Sequence, residues 1–452
     1  MMRALSLAEL ALPLRAELVG ADVTFSGVST DSRTVQAGEL FVALTGEHYD
    51  GHNYLQQARE SGAVAALVSA TGSGGLPLLK VADTAAALGR LGAFNRQLFH
   101  GPLVAITGSN GKTTAKNLAS AVLSRRGETL ATHGNFNNEI GVPLTLLRLS
   151  PTTEFAVVEM GAAGAGDIDW LCRLGSPRIA LLLNAMAAHL EGFGSVEDVA
   201  AAKGEIFDRL GSDGVAIINA DQTWAGAWRK RAGAATVLDF GLEKPAAVSA
   251  RAIELHGVSG SRFVVVTPAG EFPVRLQLPG RHNVANALAA TCIGLACGLS
   301  VDEIGAGLAS VAPAAGRLDS TRAATGVTVI DDCYNANPGS MCAAIDILAQ
   351  AAPRRTAILG AMRELGPDSA SLHRELGEYA RHAGIERLWG VGDELRATVE
   401  AFGPAGRFFP DREALLPILQ AELESSDTVL VKGSRGAAME HVVRALLDRG
   451  ED

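Results

Sequence analysis

Short, nearly uninterrupted apolar runs recur along the chain, separated by longer stretches in which apolar positions follow helical spacing. The most telling run is Val104-Ala105-Ile106-Thr107. It gives way to the glycine-bearing segment Gly108-Ser109-Asn110-Gly111, then to the polar helix start Lys112-Thr113-Thr114. Strand, loop and helix are predicted in that order. From about 100 to 312, such runs alternate with helical stretches, the pattern of a parallel sheet covered by helices. Phe155-Ala156-Val157-Val158 ends at Glu159, and Ile179-Ala180-Leu181-Leu182-Leu183 ends at Asn184. Both polar residues are therefore predicted at carboxyl ends of strands, where open α/β sheets bind ligands.

The flanking regions carry related patterns. Runs at 40–44 and 63–68 flank a predicted helix from His52 to Ser61, and a helix from Thr84 to Leu98 leads into the next unit. Between about 248 and 278, alternating segments broken by Gly-Val-Ser-Gly and Pro-Ala-Gly predict hairpins added at the sheet edge. Pro313-Ala314-Ala315-Gly316 marks a boundary and a hinge. Beyond it, runs at 327–330, 356–359, 387–391 and 428–431 alternate with helices, predicting a second, doubly wound α/β unit without its own phosphate loop. The predicted fold is α/β in three domains: a small N-terminal α/β domain over 1–85, a central parallel-sheet domain with the phosphate loop over 86–313, and a Rossmann-like C-terminal domain over 314–452.

Composition sharpens this in a few ways. A chain of 452 residues is too long for one ordinary core. Apolar residues at 48% and charged residues at 19% exclude a disordered chain. A net charge of −10 gives no support to a protein that tracks nucleic-acid phosphates. The five cysteines form no CxxC pair, and their odd number suits a reducing compartment. No apolar run reaches membrane-spanning length. A soluble, cytoplasmic, monomeric protein is the expectation.

The candidate chemistry starts at the phosphate loop. Glycines allow backbone amides to close around a phosphate, and the following helix turns its free amides and dipole toward the same anion. Lys112 supplies a fixed charge for the outer phosphates, and the Thr113 hydroxyl is placed to ligate Mg²⁺. The segment Thr107, Gly108, Ser109, Asn110, Gly111, Lys112, Thr113 and Thr114 is thus a candidate ATP site, although Ile106 stands where the usual pattern has its first glycine. Glu159 reads equally as a metal ligand or a helix-capping acid. Lys203, within a predicted helix from Val196 to Leu210, reads as a solvated lysine. Ser29-Thr30-Asp31-Ser32-Arg33 reads as a turn with a salt-bridging arginine.

Taken together, the ordered motifs carry more. The phosphate loop is followed by Gly134-Asn-Phe-Asn-Asn-Glu-Ile-Gly-Val-Pro143, Val158-Glu159-Met160-Gly161, Ala188-His189-Leu-Glu-Gly-Phe-Gly194 and Ala202-Lys203-Gly-Glu-Ile206. Then come Leu278-Pro-Gly-Arg-His-Asn-Val-Ala-Asn286 and Asp331-Asp-Cys-Tyr-Asn-Ala-Asn-Pro338. This set resembles the Mur ligases, ATP-dependent amide-forming enzymes of peptidoglycan precursor synthesis, over essentially the whole chain. The resemblance is greatest to members that add D-alanyl-D-alanine (D-Ala-D-Ala) to UDP-N-acetylmuramoyl-tripeptide (UDP-MurNAc-tripeptide).

That resemblance implies phosphorylation of a substrate carboxylate by ATP, attack by an amine on the acyl phosphate, and release of ADP and phosphate. It gives Lys112, His189, Lys203 and Arg317 catalytic roles. Thr113, Glu159, His189 and Lys203 become metal ligands, with Lys203 as an N-carboxylated lysine suited to a second Mg²⁺. Asn283 and Asn286 fall at adenine and Asp332 at the nucleotide. Ser32 and Arg33 lie in the region receiving the uridine nucleotide sugar. Lys432-Gly-Ser-Arg435, predicted to open the last helix, is placed to meet an anionic group of substrate or nucleotide, with a salt-bridging Arg435 as the other reading. Other readings are a different amide ligase of the family, a folylpolyglutamate synthase, a switch ATPase and a small-molecule kinase. The Tyr-Asn-Ala-Asn-Pro segment opposes the first two, and the set Glu159, His189 and Lys203 exceeds what a switch ATPase requires.

Overall fold

The computed structural model describes residues 1–70, 72, 74–187 and 190–448. The strand Leu103–Thr107 is buried along its whole length because it feeds two cores at once. Val104 and Ile106 enter one, whereas Leu103 and Ala105 enter the other. A strand covered on both faces reads as a continuous apolar run, which is why it is visible in the sequence.

This strand is fourth in a six-stranded parallel sheet. Its order is Thr236–Phe240, Val215–Asn219, Ile179–Leu182, Leu103–Thr107, Phe155–Glu159 and Thr129–Ala131. Register sets Glu159 opposite Ile106 and Leu182 opposite Thr107, so three neighbouring strands end around the phosphate loop.

The loop ends at Gly111, whose φ of 81° favours glycine, and the helix Lys112–Leu123 begins there. Ala115, Leu118, Ala119 and Val122 form its buried stripe. The helices Arg281–Ala296 and Val301–Ala309 pack against it. A Cβ on Gly307 would stand 2.5 Å from Val122 Cα, so a larger residue would force these helices apart.

Residues 249–276 form three antiparallel strands as expected, but in a sheet of their own rather than as an extension of the central one. One parallel bridge, Phe240 to Val248, leads into it. Its inward residues Phe263, Val265, Phe272 and Val274 share the core of the phosphate-loop helix. Alternation specifies which side chains face inward; it carries no information about which core they enter.

The N-terminal sheet has five strands, ordered Glu17–Val19, Leu78–Lys80, Ala65–Val68, Glu39–Val42 and Gly27–Ser29. Its first pair is antiparallel and the others are parallel. The C-terminal sheet has six: Asp319–Arg322, Thr328–Asp332, Thr428–Lys432, Arg355–Gly360, Arg387–Val391 and Gly406–Phe409. All but the first are parallel to their neighbours. Helices cover both faces, Pro338–Ala349 and Ser369–His382 on one, Arg412–Glu422 and Glu440–Leu447 on the other.

Asp319–Arg322 and Gly406–Phe409 are strands without a clear apolar signature, the first polar throughout and the second interrupted by Arg407. The segment Lys432-Gly-Ser-Arg435 does not open the last helix. Ser434 leads into a 3₁₀ turn, Arg435–Ala437, and the helix starts at Glu440. Among the described residues, no helix is long and apolar enough to cross a membrane.

Candidate active site

The phosphate loop is held from its neighbours. Asn184, just beyond the strand Ile179–Leu182, accepts from Asn110 N at its Oδ1 (2.8 Å) and donates through Nδ2 to Asn110 O (3.1 Å). Ser109 N donates to Asn184 O at 3.0 Å, and Ser109 Oγ exchanges hydrogen bonds with the backbone of Met186. On the opposite side, a Cβ at Gly111 would lie 2.7 Å from Asn286 Oδ1, so the helix Arg281–Ala296 abuts the loop there. Asn286 Nδ2 donates to Asn283 Oδ1, and Asn283 Nδ2 to Pro279 O. Lys112 folds back over the loop, its Nζ donating to Gly108 O at 2.7 Å. Burial lowers its pKa, Glu159 opposes that shift and Arg317 adds to it.

Next to the loop lies an oxygen-rich corner. Glu159 is 2% exposed. Its Oε2 accepts from Thr113 Oγ1 at 2.9 Å, and its Oε1 from Asn137 Nδ2 at 2.8 Å. Thr132 Oγ1 accepts from the Glu159 N–H at 3.0 Å, fixing the strand end. Lys116 Nζ stands 3.9 Å from Glu159 Oε2 and donates to Thr132 O at 2.8 Å. Burial lowers the Lys116 pKa, and Glu159 opposes the shift. A buried carboxylate converging with a hydroxyl on hard oxygen donors is a set that fits Mg²⁺.

Lys203 is not a solvated lysine. The helix Val196–Gly204, capped by Ser195, carries it inward to 1% exposure, with its ammonium 5.7 Å from the Phe193 ring centroid. Burial, with help from Lys112, pushes its pKa down to about 7. On the C-terminal side, Lys432 Nζ lies 2.6 Å from Asp332 Oδ2 and donates to Asn335 O at 2.9 Å. Burial raises the Asp332 pKa against the pull of Lys432. The Arg317 guanidinium stacks 3.9 Å from the centroid of Tyr334.

One cavity of about 1220 Å³ joins these parts. Ser109, Asn110, Gly111, Lys112, Thr113, Thr114, Glu159, Lys203, Asn283, Asn286, Arg317 and Asp332 all line it. Thr107 and Gly108 lie outside that lining, and the Thr107 hydroxyl is enclosed at the strand end with no hydrogen-bond partner among the described residues. Ser32 and Arg33 are also outside it. Ser32 Oγ donates to Gln57 Oε1, while Arg33 pairs with Asp31 at 2.7 Å, so this segment is a salt-bridged turn. His189 lies outside the described residues.

Lys116 carried a signal that sequence reasoning passed over. It follows Lys112 by four residues and so shares its helix face. A helical lysine is ordinarily solvent-facing, and only the approach of Thr132 and Glu159 makes this one interior. Asn137 and Asn337 lie within recognisable motifs, but their partners, Glu159 and Asn110, are distant in sequence.

Comparison with known proteins extends this geometry. Residues 24–94 match the Mur ligase family catalytic domain, 106–294 the Mur ligase middle domain, and 316–435 the Mur ligase glutamate ligase domain. The chain is 46% identical to the UDP-N-acetylmuramoyl-tripeptide–D-alanyl-D-alanine ligase of Escherichia coli K12, covering 99% of this chain and 100% of that one. Its fold matches a crystal structure of MurF from Acinetobacter baumannii with a TM-score of 0.94 at 34% identity, over 99% and 100% of the two chains. It also matches the MurF ligase of Thermotoga maritima in complex with ADP, with a TM-score of 0.84 at 28% identity, over 93% and 97%.

Proposed function

This chain belongs to the Mur ligase family, and we propose that it joins D-alanyl-D-alanine to UDP-N-acetylmuramoyl-tripeptide, consuming ATP and forming UDP-MurNAc-pentapeptide, ADP and phosphate in the cytoplasm. The observation carrying this reading is the single cavity in which phosphate loop, Glu159 and Lys203 face Arg317 and Asp332. A hydrolytic switch needs a phosphate loop; a ligase must also bring two further substrates to the γ-phosphate. The similarity to the Escherichia coli D-alanyl-D-alanine-adding ligase supports the choice of substrates.

In the proposed reaction, a terminal carboxylate oxygen of the tripeptide attacks the γ-phosphorus and ADP leaves. The dipeptide amine then attacks the acyl carbon, loses a proton, and phosphate departs with the carboxylate oxygen it received. Positioning and charge neutralisation supply most of the acceleration in such transfers. The loop amides and Lys112 hold the β- and γ-phosphates. Thr113 and Glu159 hold Mg²⁺, which when bound neutralises charge on the phosphate oxygens. Arg317, stacked on Tyr334, meets the charge that develops at the γ-phosphate. Asn283 and Asn286 contact adenine, and Asp332 contacts the nucleotide beyond the phosphates.

Lys203 acts in N-carboxylated form. Its burial at a cavity that Glu159 also lines supports this, because an anionic oxygen donor there serves a second Mg²⁺ whereas an ammonium repels it. Ser32 and Arg33 mark the side that receives the uridine nucleotide sugar. The reading is tested by ADP release with each substrate supplied singly and together. Release requiring both substrates supports it, and release from ATP alone counts against it.

A further inference from the structure

We propose that Asn337 is a positioning residue for the phosphate loop, acting from the C-terminal unit through Asn110. The inference rests on the reading above, that this loop binds the phosphates of ATP. The two side-chain amides pair reciprocally across 227 residues of chain. Asn110 Nδ2 donates to Asn337 Oδ1 at 3.1 Å, and Asn337 Nδ2 donates to Asn110 Oδ1 at 2.6 Å.

Asn337 is itself held independently of the loop. It caps the helix Pro338–Ala349, its Oδ1 accepting from Ser340 N at 2.9 Å while Ser340 Oγ accepts from Asn337 N at 3.0 Å. The cap uses only the oxygen; serine or aspartate would serve it equally, and threonine nearly so. The Nδ2 group has no part in capping; its hydrogen bond goes to Asn110. Asparagine carries its donor on a different atom from the capping oxygen, and here that donor reaches the phosphate loop. The helix start sits close against the loop: a Cβ on Gly339 would stand 2.9 Å from Met186 Sδ and 3.4 Å from Asn110 Nδ2.

Asn110 is thereby braced from both sides, by Asn184 on the central sheet and by Asn337 on the C-terminal unit. A loop that loses one brace must be ordered when nucleotide binds, which weakens binding. Because Asn337 belongs to the C-terminal unit, the brace operates only when that unit is docked. Nucleotide affinity and docking are then linked in both directions.

The test is calorimetric titration with Mg·ADP of the full-length protein, Asn337→Ser, Asn110→Ser and the double variant. Serine preserves the helix cap, so without nucleotide Asn337→Ser should melt no lower than Asn110→Ser, which removes the same pair; should it fall further, Asn337→Thr, also a capping residue, replaces it. Loss of the paired bonds should weaken ADP binding about tenfold. The double variant should bind no more weakly than the weaker single variant, because both changes remove the same interaction. An ADP affinity for Asn337→Ser within about twofold of the parent, or effects that simply multiply in the double variant, overturns the proposal. Failure of the parent itself to bind Mg·ADP overturns the ATP reading on which the proposal stands, a separate and recognisable result.

Discussion

The Thr113 hydroxyl donates to Oε2 of Glu159 at 2.9 Å, joining the first turn of the phosphate-loop helix to the end of the adjacent strand. The register of Glu159 opposite Ile106 produces this meeting. If these oxygens hold Mg²⁺, Glu159→Gln and Thr113→Ala should each lower kcat about a hundredfold or more, and Thr113→Ser should recover most of the loss. Calorimetric titration with Mg²⁺ in the presence of ADP separates lost metal affinity from a misfolded variant.

Lys116→Met should destabilise the protein as well as slow it. The substitution leaves Thr132 O without its buried donor and Glu159 without its nearby cation. The expected cost is about 2 kcal/mol, read as a lower urea midpoint with an unchanged slope. An unaltered midpoint would mean that the Lys116 contact contributes nothing net.

His282 provides a pH signature. Burial, with Lys432 adding to it, pushes its pKa down to about 4 from an ordinary 6.5. Between those values the unfolded chain binds a proton that the folded protein does not, so this contribution is fully present above about pH 6.5 and is lost as pH falls toward about 4. His282 borders the cavity and is only partly enclosed, so roughly 2 kcal/mol is a suitable scale after allowing for solvent screening. Urea midpoints of the parent and His282→Gln, measured between pH 7.5 and 4.5, should converge as the pH is lowered.

Asp427 offers a contrast away from the cavity. Burial alone would raise its pKa, but hydrogen bonds from Arg354, the Glu424 N–H and Arg387 outweigh burial and lower it. Arg354 and Arg387 approach its buried carboxylate at 2.5 and 2.7 Å. Asp427→Ala should cost about 3 kcal/mol in stability, because two arginines lose their shared partner. Turnover per folded molecule at low temperature should be unchanged.

The α/β class was legible because its central strands are buried on both faces, and Leu103–Thr107 announces itself by composition alone. The phosphate loop was legible because glycine, lysine and threonine each do something there that few other residues can. Polar Asp319–Arg322 forms a strand through its antiparallel pairing with Thr328–Asp332, a tertiary fact without an apolar pattern. The hairpins of residues 249–276 were visible as alternation, but their separate sheet depends on which core accepts Phe263 and Phe272. Lys203 shows the limit most clearly. Nothing in the pattern of its helix distinguishes a solvated lysine from one that is 1% exposed, and only the family resemblance drew attention to it.

The central claim is ligation through an acyl phosphate, and one incubation tests it most directly. UDP-MurNAc-tripeptide labelled with ¹⁸O in its terminal carboxylate is mixed with D-Ala-D-Ala, ATP, Mg²⁺ and the protein, and the nucleotide product and released phosphate are weighed by mass spectrometry. The account predicts a product heavier by the dipeptide less one ¹⁸O-labelled water, and phosphate carrying one labelled oxygen per turnover. Unlabelled phosphate, or phosphate released while the tripeptide keeps its mass, would contradict it.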